Sequence, residues 1–279
     1  MNVLFDKEKF HDELKNMEIY PNDTVLINLN ISKFGLFKGF KKSDYVQIFK
    51  EYFSQDGTFM ALSFTYAKMS LRNRNLPYFD GTQLSNTGAF SNAMLKDADS
   101  VRSLHPTNSV VAIGKYAKEL TEGIDDTAGA YEFVERLVER KGKVLLIGMG
   151  EYPGFITHGV EARLGLYKQY WNRFFIKVKL DKKIFTRLDP GGCSSTFGML
   201  YPEYIKNEIL VVNRINGAYS LSIRADLAYE IDLNYLRKNP NALICDNSDC
   251  LKCRLFRWKT IWKLPFFIWK YLFKKLQTK

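Results

Sequence analysis

Histidine is nearly absent from this chain: three occur in 279 residues, at positions 11, 105 and 158. Imidazole is the side chain best suited to accept a proton near pH 7, so chemistry that needs such a base has very few places to go. Long apolar runs are missing too, and no segment is long enough to span a bilayer. The first residues, Met1 to Phe10, mix charges with isolated apolar side chains and lack the apolar core of a signal peptide. That start predicts a cytoplasmic protein. No repeat period and no long disordered tract breaks the chain, and its length suits one large mixed domain as well as two small ones.

Cysteine is scarce as well, with Cys193, Cys245, Cys250 and Cys253 the whole complement. Without an export signal these read as reduced thiols. The spacing Cys245-x4-Cys250-x2-Cys253 is metal-like, yet closed zinc sites take four ligands and a fourth is not evident nearby in sequence. Free thiols and no metal are the expectation. Cys193, in the turn that begins at Pro190, has a second reading as a nucleophile that carries the acyl group.

Acidic residues vanish after Cys253. Residues 254–279 hold eight Lys and Arg and no Asp or Glu, so of a formal net charge of +11 this tail carries +8 and residues 1–253 only +3. Three of the four tryptophans, with Phe256, Phe266, Phe267, Tyr271 and Phe273, lie in the same stretch. Lys259, Lys263, Lys270 and Lys274 fall near one helical face, which predicts an amphipathic basic and aromatic C-terminal helix, interrupted at Pro265. Such a helix suits the anionic inner face of a cell membrane, with lysines snorkelling to head groups; packing on the body or on a second subunit is the other reading. Nucleic acid is excluded as a partner, because the body has no basic face and the tail is too aromatic for a phosphate-tracking arm.

The remainder reads as α/β. Thr24 to Ile31, Thr58 to Phe64, Ser109 to Gly114 and Lys143 to Gly150 are short apolar runs bounded by Gly, Asn or Pro, as expected of buried strands. Between them Ser43 to Tyr52, Thr87 to Leu95, Tyr116 to Leu120 and Ala130 to Arg140 have helical spacing. Beyond residue 170 apolar and basic residues alternate as in antiparallel strands, and Ser222 to Arg237 reads as a late helix stopped at Asn239-Pro240. The prediction is a mixed sheet core flanked by helices with an antiparallel C-terminal part, divided as 1–253 and the tail 254–279.

Candidate chemistry sits in a few segments. Asn30-Ile31-Ser32-Lys33-Phe34-Gly35 leaves a strand and enters a glycine-containing loop whose backbone N–H groups can approach phosphate. Arg102-Ser103-Leu104-His105-Pro106-Thr107-Asn108-Ser109 and Thr157-His158-Gly159-Val160-Glu161 hold two of the histidines. His11, in an amphipathic N-terminal helix, reads as surface.

The order of these segments, together with Gly57-Thr58-Phe59 through Phe64-Thr65 and Thr87-Gly88-Ala89, resembles the aminoglycoside 3-N-acetyltransferase family, over roughly residues 18 to 240. The Arg102 to Ser109 block is the most specific match. That resemblance implies an acetyl-CoA-dependent N-acetyltransferase with direct transfer. It implies coenzyme contacts at Asn30, Ser32, Lys33, Gly35 and Ser63, with Arg102, Ser103 and Ser109 at neighbouring strand ends. It implies His158, Glu161 and His105 as catalytic residues. The chain departs from the family pattern at Asn28-Leu29-Asn30, where members carry His-Ser-Ser. Phe155 stands where a threonine is usual, and only Glu151 can stand in for an acid usual before the second histidine.

The residues agree with this reading on their own terms. An amine must lose a proton as it attacks a thioester, which calls for a base of near-neutral pKa within hydrogen-bond reach. If residues 157 to 168 form a helix, His158 and Glu161 share a face, and the carboxylate orients the ring. A polycationic acceptor would call for an acidic wall, for which Asp125-Asp126 and Glu119 with Glu122 are the only candidates. With the membrane-suited tail, this favours acylation of an amino sugar in surface polysaccharide assembly over an aminoglycoside-like substrate. The alternative is a non-catalytic family member that docks to a membrane complex through its tail.

Overall fold

Each central strand is buried on both faces, which is why its sequence is almost continuously apolar rather than alternating. The computed structural model describes residues 4–53, 55–70, 73–149, 154–166, 176–187 and 193–247, together with 250, 253 and 269. In chain order its elements are α1 (Lys7–Asn16), β1 (Thr24–Leu29), α2 (Ile31–Phe34), α3 (Asp44–Phe53), β2 (Thr58–Leu62), β3 (Lys68–Met69) and α4 (Ala89–Met94). There follow β4 (Val101–Arg102), β5 (Val110–Gly114), α5 (Ala117–Thr121), α6 (Glu132–Glu139), β6 (Lys143–Ile147) and α7 (Gly154–Arg163). The last are β7 (Ile176–Lys179), β8 (Ile184–Thr186), α8 (Tyr201–Lys206), β9 (Leu210–Ile215), β10 (Ala218–Arg224) and α9 (Ala225–Lys238).

Seven strands form one mixed sheet in the order β4-β5-β2-β1-β6-β10-β9. β1 is parallel to β2 on one side and to β6 on the other, so all three point their carboxyl ends to one edge. β5 runs antiparallel to β2 and therefore starts at that edge. One face is covered by α1, α3 and α4 around Phe10, Phe34, Phe49, Phe59 and Phe90, whose rings meet mostly edge to face. The other is covered by α6, α7 and α9 around Phe133, Val134, Ile156 and Leu236. Because α3 crosses one face to reach β2 while α6 lies on the other before β6, the chain changes face between β1 and β6. A crevice forms at such a switch point, beyond the carboxyl ends of the strands.

Several boundaries differ from the sequence reading. Ser222 to Arg224 belong to β10 and the helix starts only at Ala225. Ser220 and Ser222 are buried with their hydroxyls on the carbonyls of Ala218 and Met17, so polar residues there fill an inner face instead of opening a helix. The helix carrying His158 runs from Gly154 to Arg163, earlier than 157 to 168. The antiparallel part divides: β9 and β10 extend the main sheet, while β7 and β8 join β3 in a separate three-stranded sheet. The C-terminal helix expected over 254–279 lies outside the described residues, apart from Trp269. Among the described residues no helix is long and apolar enough to cross a membrane.

Candidate active site at the carboxyl edge of the sheet

At the switch point the loop after β1 meets the loop after β6. Gly148 has φ +67°, and a Cβ there would lie 2.7 Å from Cβ of Lys33, so only glycine allows this approach. The segment read as a loop is the single turn α2. Asn30 caps it, accepting from the Lys33 N–H at 3.3 Å and the Ser32 hydroxyl at 2.6 Å. Gly35 ends it at φ +132° against the Phe37 ring. Asn30, Ser32, Lys33 and Gly35 therefore stand together beside the end of β6.

Next along the edge, Ser63 follows β2. Its backbone N–H donates to Ser109 and its carbonyl accepts from the Ser109 hydroxyl and Arg102, yet its own Oγ is fully buried with no partner. An orphaned buried hydroxyl costs on the order of 1–3 kcal/mol, and a ligand's polar atom at this edge would relieve it. That orphan fits the coenzyme expected here.

For Arg102, Ser103 and Ser109 the structure shows commitment inside the protein instead of open donors. The half-buried Arg102 guanidinium donates to the carbonyls of Gly81, Gln83 and Ser63 and to Ser109 Oγ, and lies over Phe79. Ser103 Oγ accepts from the Val110 N–H. This most specific block of the sequence clamps the 79–87 loop and β2 onto β5.

His105, expected among the catalytic residues, is likewise engaged inside the protein. Its Nδ1 accepts from the N–H groups of Thr107 and Asn108 at 3.2 and 2.9 Å, holding the turn after Pro106, and its ring packs edge-on to Phe185. Burial, with the charge of Arg187 adding to it, pushes the imidazole down to about 3. A neutral ring whose Nδ1 accepts from two amides carries its proton on Nε2. The unfolded chain binds that proton near pH 6.5. The stability from keeping the ring neutral is thus whole above the unfolded value and is lost as pH falls from about 6.5 toward about 3. Between pH 7 and pH 5 we expect the protein to lose about 2 kcal/mol that the variant His105→Gln retains. Thermal unfolding at the two pH values measures this, and equal losses would refute it.

His158 is positioned quite differently. α7 packs on α6 at Gly159, where a Cβ would meet Val134 at 3.0 Å, and Phe155 lies 6.0 Å from Phe133 between ring centroids. From the other side the Thr157 hydroxyl donates to Asp232 of α9 at 2.7 Å, and Tyr204 donates to the other oxygen of this buried carboxylate. Held this way, α7 presents His158 and Glu161, three residues apart, on one face. Nδ1 of His158 is 2.8 Å from Glu161 Oε2, and both side chains are largely buried, 13% and 9% exposed. With the carboxylate accepting from Nδ1–H, the basic lone pair sits on Nε2. The ring is flanked by Tyr131 at 5.5 Å and Phe197 at 4.8 Å.

Tyr131, Phe197 and Arg187 were not legible as site residues. Arg187 donates to the Tyr131 hydroxyl at 3.2 Å, and with His105, Asp126, Lys183 and Phe185 it lines a cleft of about 420 Å³. The acidic candidates form no wall there. Asp126 pairs with Lys183, and Asp125 is tied to the N–H and hydroxyl of Thr127, which hold its carboxyl below the usual range. Glu119 and Glu122 pair with Arg140 and Lys118. Glu151, the residue offered for the missing acid, lies outside the described residues, and Cys193 stands with the other three cysteines.

Comparison with known proteins agrees with this fold. The family model for aminoglycoside 3-N-acetyltransferase matches residues 26–237. The crystal structure of aminoglycoside acetyltransferase AAC(3)-IVa, as a histidine-to-alanine mutant in complex with a gentamicin, is similar at a TM-score of 0.76 and 18% identity, covering 92% of this chain and 98% of that one. AAC-IIIb in a binary complex with CoASH is similar at a TM-score of 0.68 and 16% identity, covering 85% and 98%. AAC(3)-Xa gives a TM-score of 0.67 and 18% identity over 84% and 93%. Likeness at this identity speaks for the fold. No curated protein matches the chain in sequence.

Proposed function

The chain belongs to the aminoglycoside 3-N-acetyltransferase family and is an acetyltransferase with acetyl-CoA as cosubstrate, and from that premise we propose that His158 is the general base for acetyl transfer to an amino sugar. The observation that carries this reading is the largely buried His158–Glu161 pair, its imidazole flanked by Tyr131 and Phe197. Nε2 takes the proton of the attacking amine as the new C–N bond forms, and Glu161 stabilises the imidazolium. As the C–S bond breaks, the same proton goes to the departing sulfur. Tyr131 and Phe197 enclose the ring and limit water around it.

Coenzyme binding at Asn30, Ser32, Lys33, Gly35 and Ser63 is part of the same proposal, supported by their shared edge and by the unpartnered Ser63 hydroxyl. The acceptor follows from charge. In the cleft Asp126 and Lys183 offset each other and Arg187 adds a positive charge, a poor match for a polycation and a better one for an amino sugar bearing an anionic group, nucleotide- or lipid-linked. The tail of residues 254–279, at +8, then holds the enzyme to an anionic membrane where such acceptors are used. One experiment tests these points together. Full-length protein and acetyl-CoA are given a panel of amino sugars, nucleotide-linked amino sugars and aminoglycosides, with and without anionic vesicles, and free thiol release is followed. Turnover is expected with the anionic amino sugars and co-sedimentation with the vesicles. Turnover confined to aminoglycosides would overturn the acceptor assignment.

A further inference from the structure

All four cysteines of the chain, sixty residues apart at the extremes, converge on one point, with every Sγ within 4.8 Å of the others. Cys245 and Cys253 are buried, Cys193 and Cys250 half-buried, and no disulfide joins any pair. We propose that Cys193, Cys245, Cys250 and Cys253 bind one zinc ion as a closed tetrathiolate that locks the chain after α9 onto the loop before Phe197.

Geometry supports the assignment. Four sulfurs at about 2.3 Å from a tetrahedral zinc lie about 3.8 Å from one another, so the cluster needs only a slight contraction to close. Cys250 and Cys253 are separated by two residues, the spacing at which one turn offers two thiolates to one metal. The Cys245 N–H donates to Cys253 Sγ at 3.3 Å, and Ser195 Oγ lies 2.8 Å from Cys193 Sγ, contacts that steady thiolate charge. Thr196 donates to the Leu243 carbonyl at 2.7 Å, joining the same two segments independently. The fourth ligand that the local spacing lacks is Cys193, supplied by the fold. An all-sulfur tetrahedral set selects zinc among the common divalent ions, and four protein ligands leave no open position, so the role is structural. Binding deprotonates the thiols and releases their protons to solvent.

Three of the four ligands lie beyond residue 237, where the family match ends. The consequence of the centre reaches the site. Cys193 begins the short segment leading to the 3-10 turn Phe197–Leu200, and the Phe197 ring packs on His158.

Elemental analysis of the full-length protein, purified under reducing conditions, is expected to give about one zinc per chain, and cobalt exchanged into the site is expected to show the visible bands of a tetrahedral tetrathiolate. Cys193→Ala should lower bound metal about tenfold or more, while Cys193→His, which keeps a ligand, should retain it. That pair separates lost coordination from lost folding. A chain that takes up no zinc when refolded with it while all four thiols react freely, or tryptic peptides joined by disulfides among these cysteines, would overturn the proposal.

Discussion

Replacing His158 with alanine lowers kcat by about 10²–10⁴-fold while the KM for acetyl-CoA stays within roughly twofold. The separation follows from where the ring stands. The residues gathered for the coenzyme lie on the β1, β2 and β6 ends, whereas His158 projects from α7 and is fixed by Glu161, Tyr131 and Phe197. On the proposed mechanism its removal deletes the proton acceptor of the chemical step and leaves those loops intact. Glu161→Gln costs less, because an amide oxygen still accepts from Nδ1–H but offers the imidazolium no charge. Steady-state kinetics by thiol release, at saturating acceptor, reads both. A variant His158→Ala that loses affinity for acetyl-CoA and keeps kcat would remove the imidazole from the proton-transfer role.

Arg102→Ala is the largest expected loss of stability. The side chain ties three carbonyls from two loops, and its removal leaves those of Gly81 and Gln83 without this donor while exposing the Phe79 face it covers. Leaving these half-buried groups unpaired and uncovering the ring costs about 3–5 kcal/mol in all, or roughly 5–9 °C in Tm for a chain of this length. Arg102→Lys recovers little, since a single ammonium cannot span the planar fork. The measurement also separates two roles. Were Arg102 a phosphate contact, the variant would keep its Tm and lose affinity for acetyl-CoA instead. Thermal unfolding and coenzyme titration on the same preparation distinguish these outcomes.

Much of the scaffold was legible because buried parallel strands must be apolar on both faces. Val25 to Leu29 and Val144 to Ile147 announce themselves by that requirement alone. The late helix was begun too early, at Ser222, a residue whose burial only its carbonyl partner in the folded chain explains. β7 and β8 read correctly as antiparallel strands, but nothing local assigns them to a second sheet with β3, since pairing across a hundred residues has no local period. The internal hydrogen bonds of Arg102 and Ser103 were not legible for a related reason. A motif marks which residues matter without saying whether they face a ligand or the protein's own backbone.

Residue types and local spacing, by themselves, determined the α/β scaffold, the family, and the kind of chemistry an imidazole and a carboxylate three residues apart can perform. Tertiary structure decided the surroundings of each imidazole. Burial and the charge of Arg187 push the His105 imidazole down, and two backbone amides engage its Nδ1, while helix α7 aims His158 beside a carboxylate. Packing likewise brought Cys193 to three thiols it precedes by more than fifty residues. Local pattern records what a segment can form. Desolvation and long-range proximity depend on everything packed around it, and they set the protonation state and the ligand count.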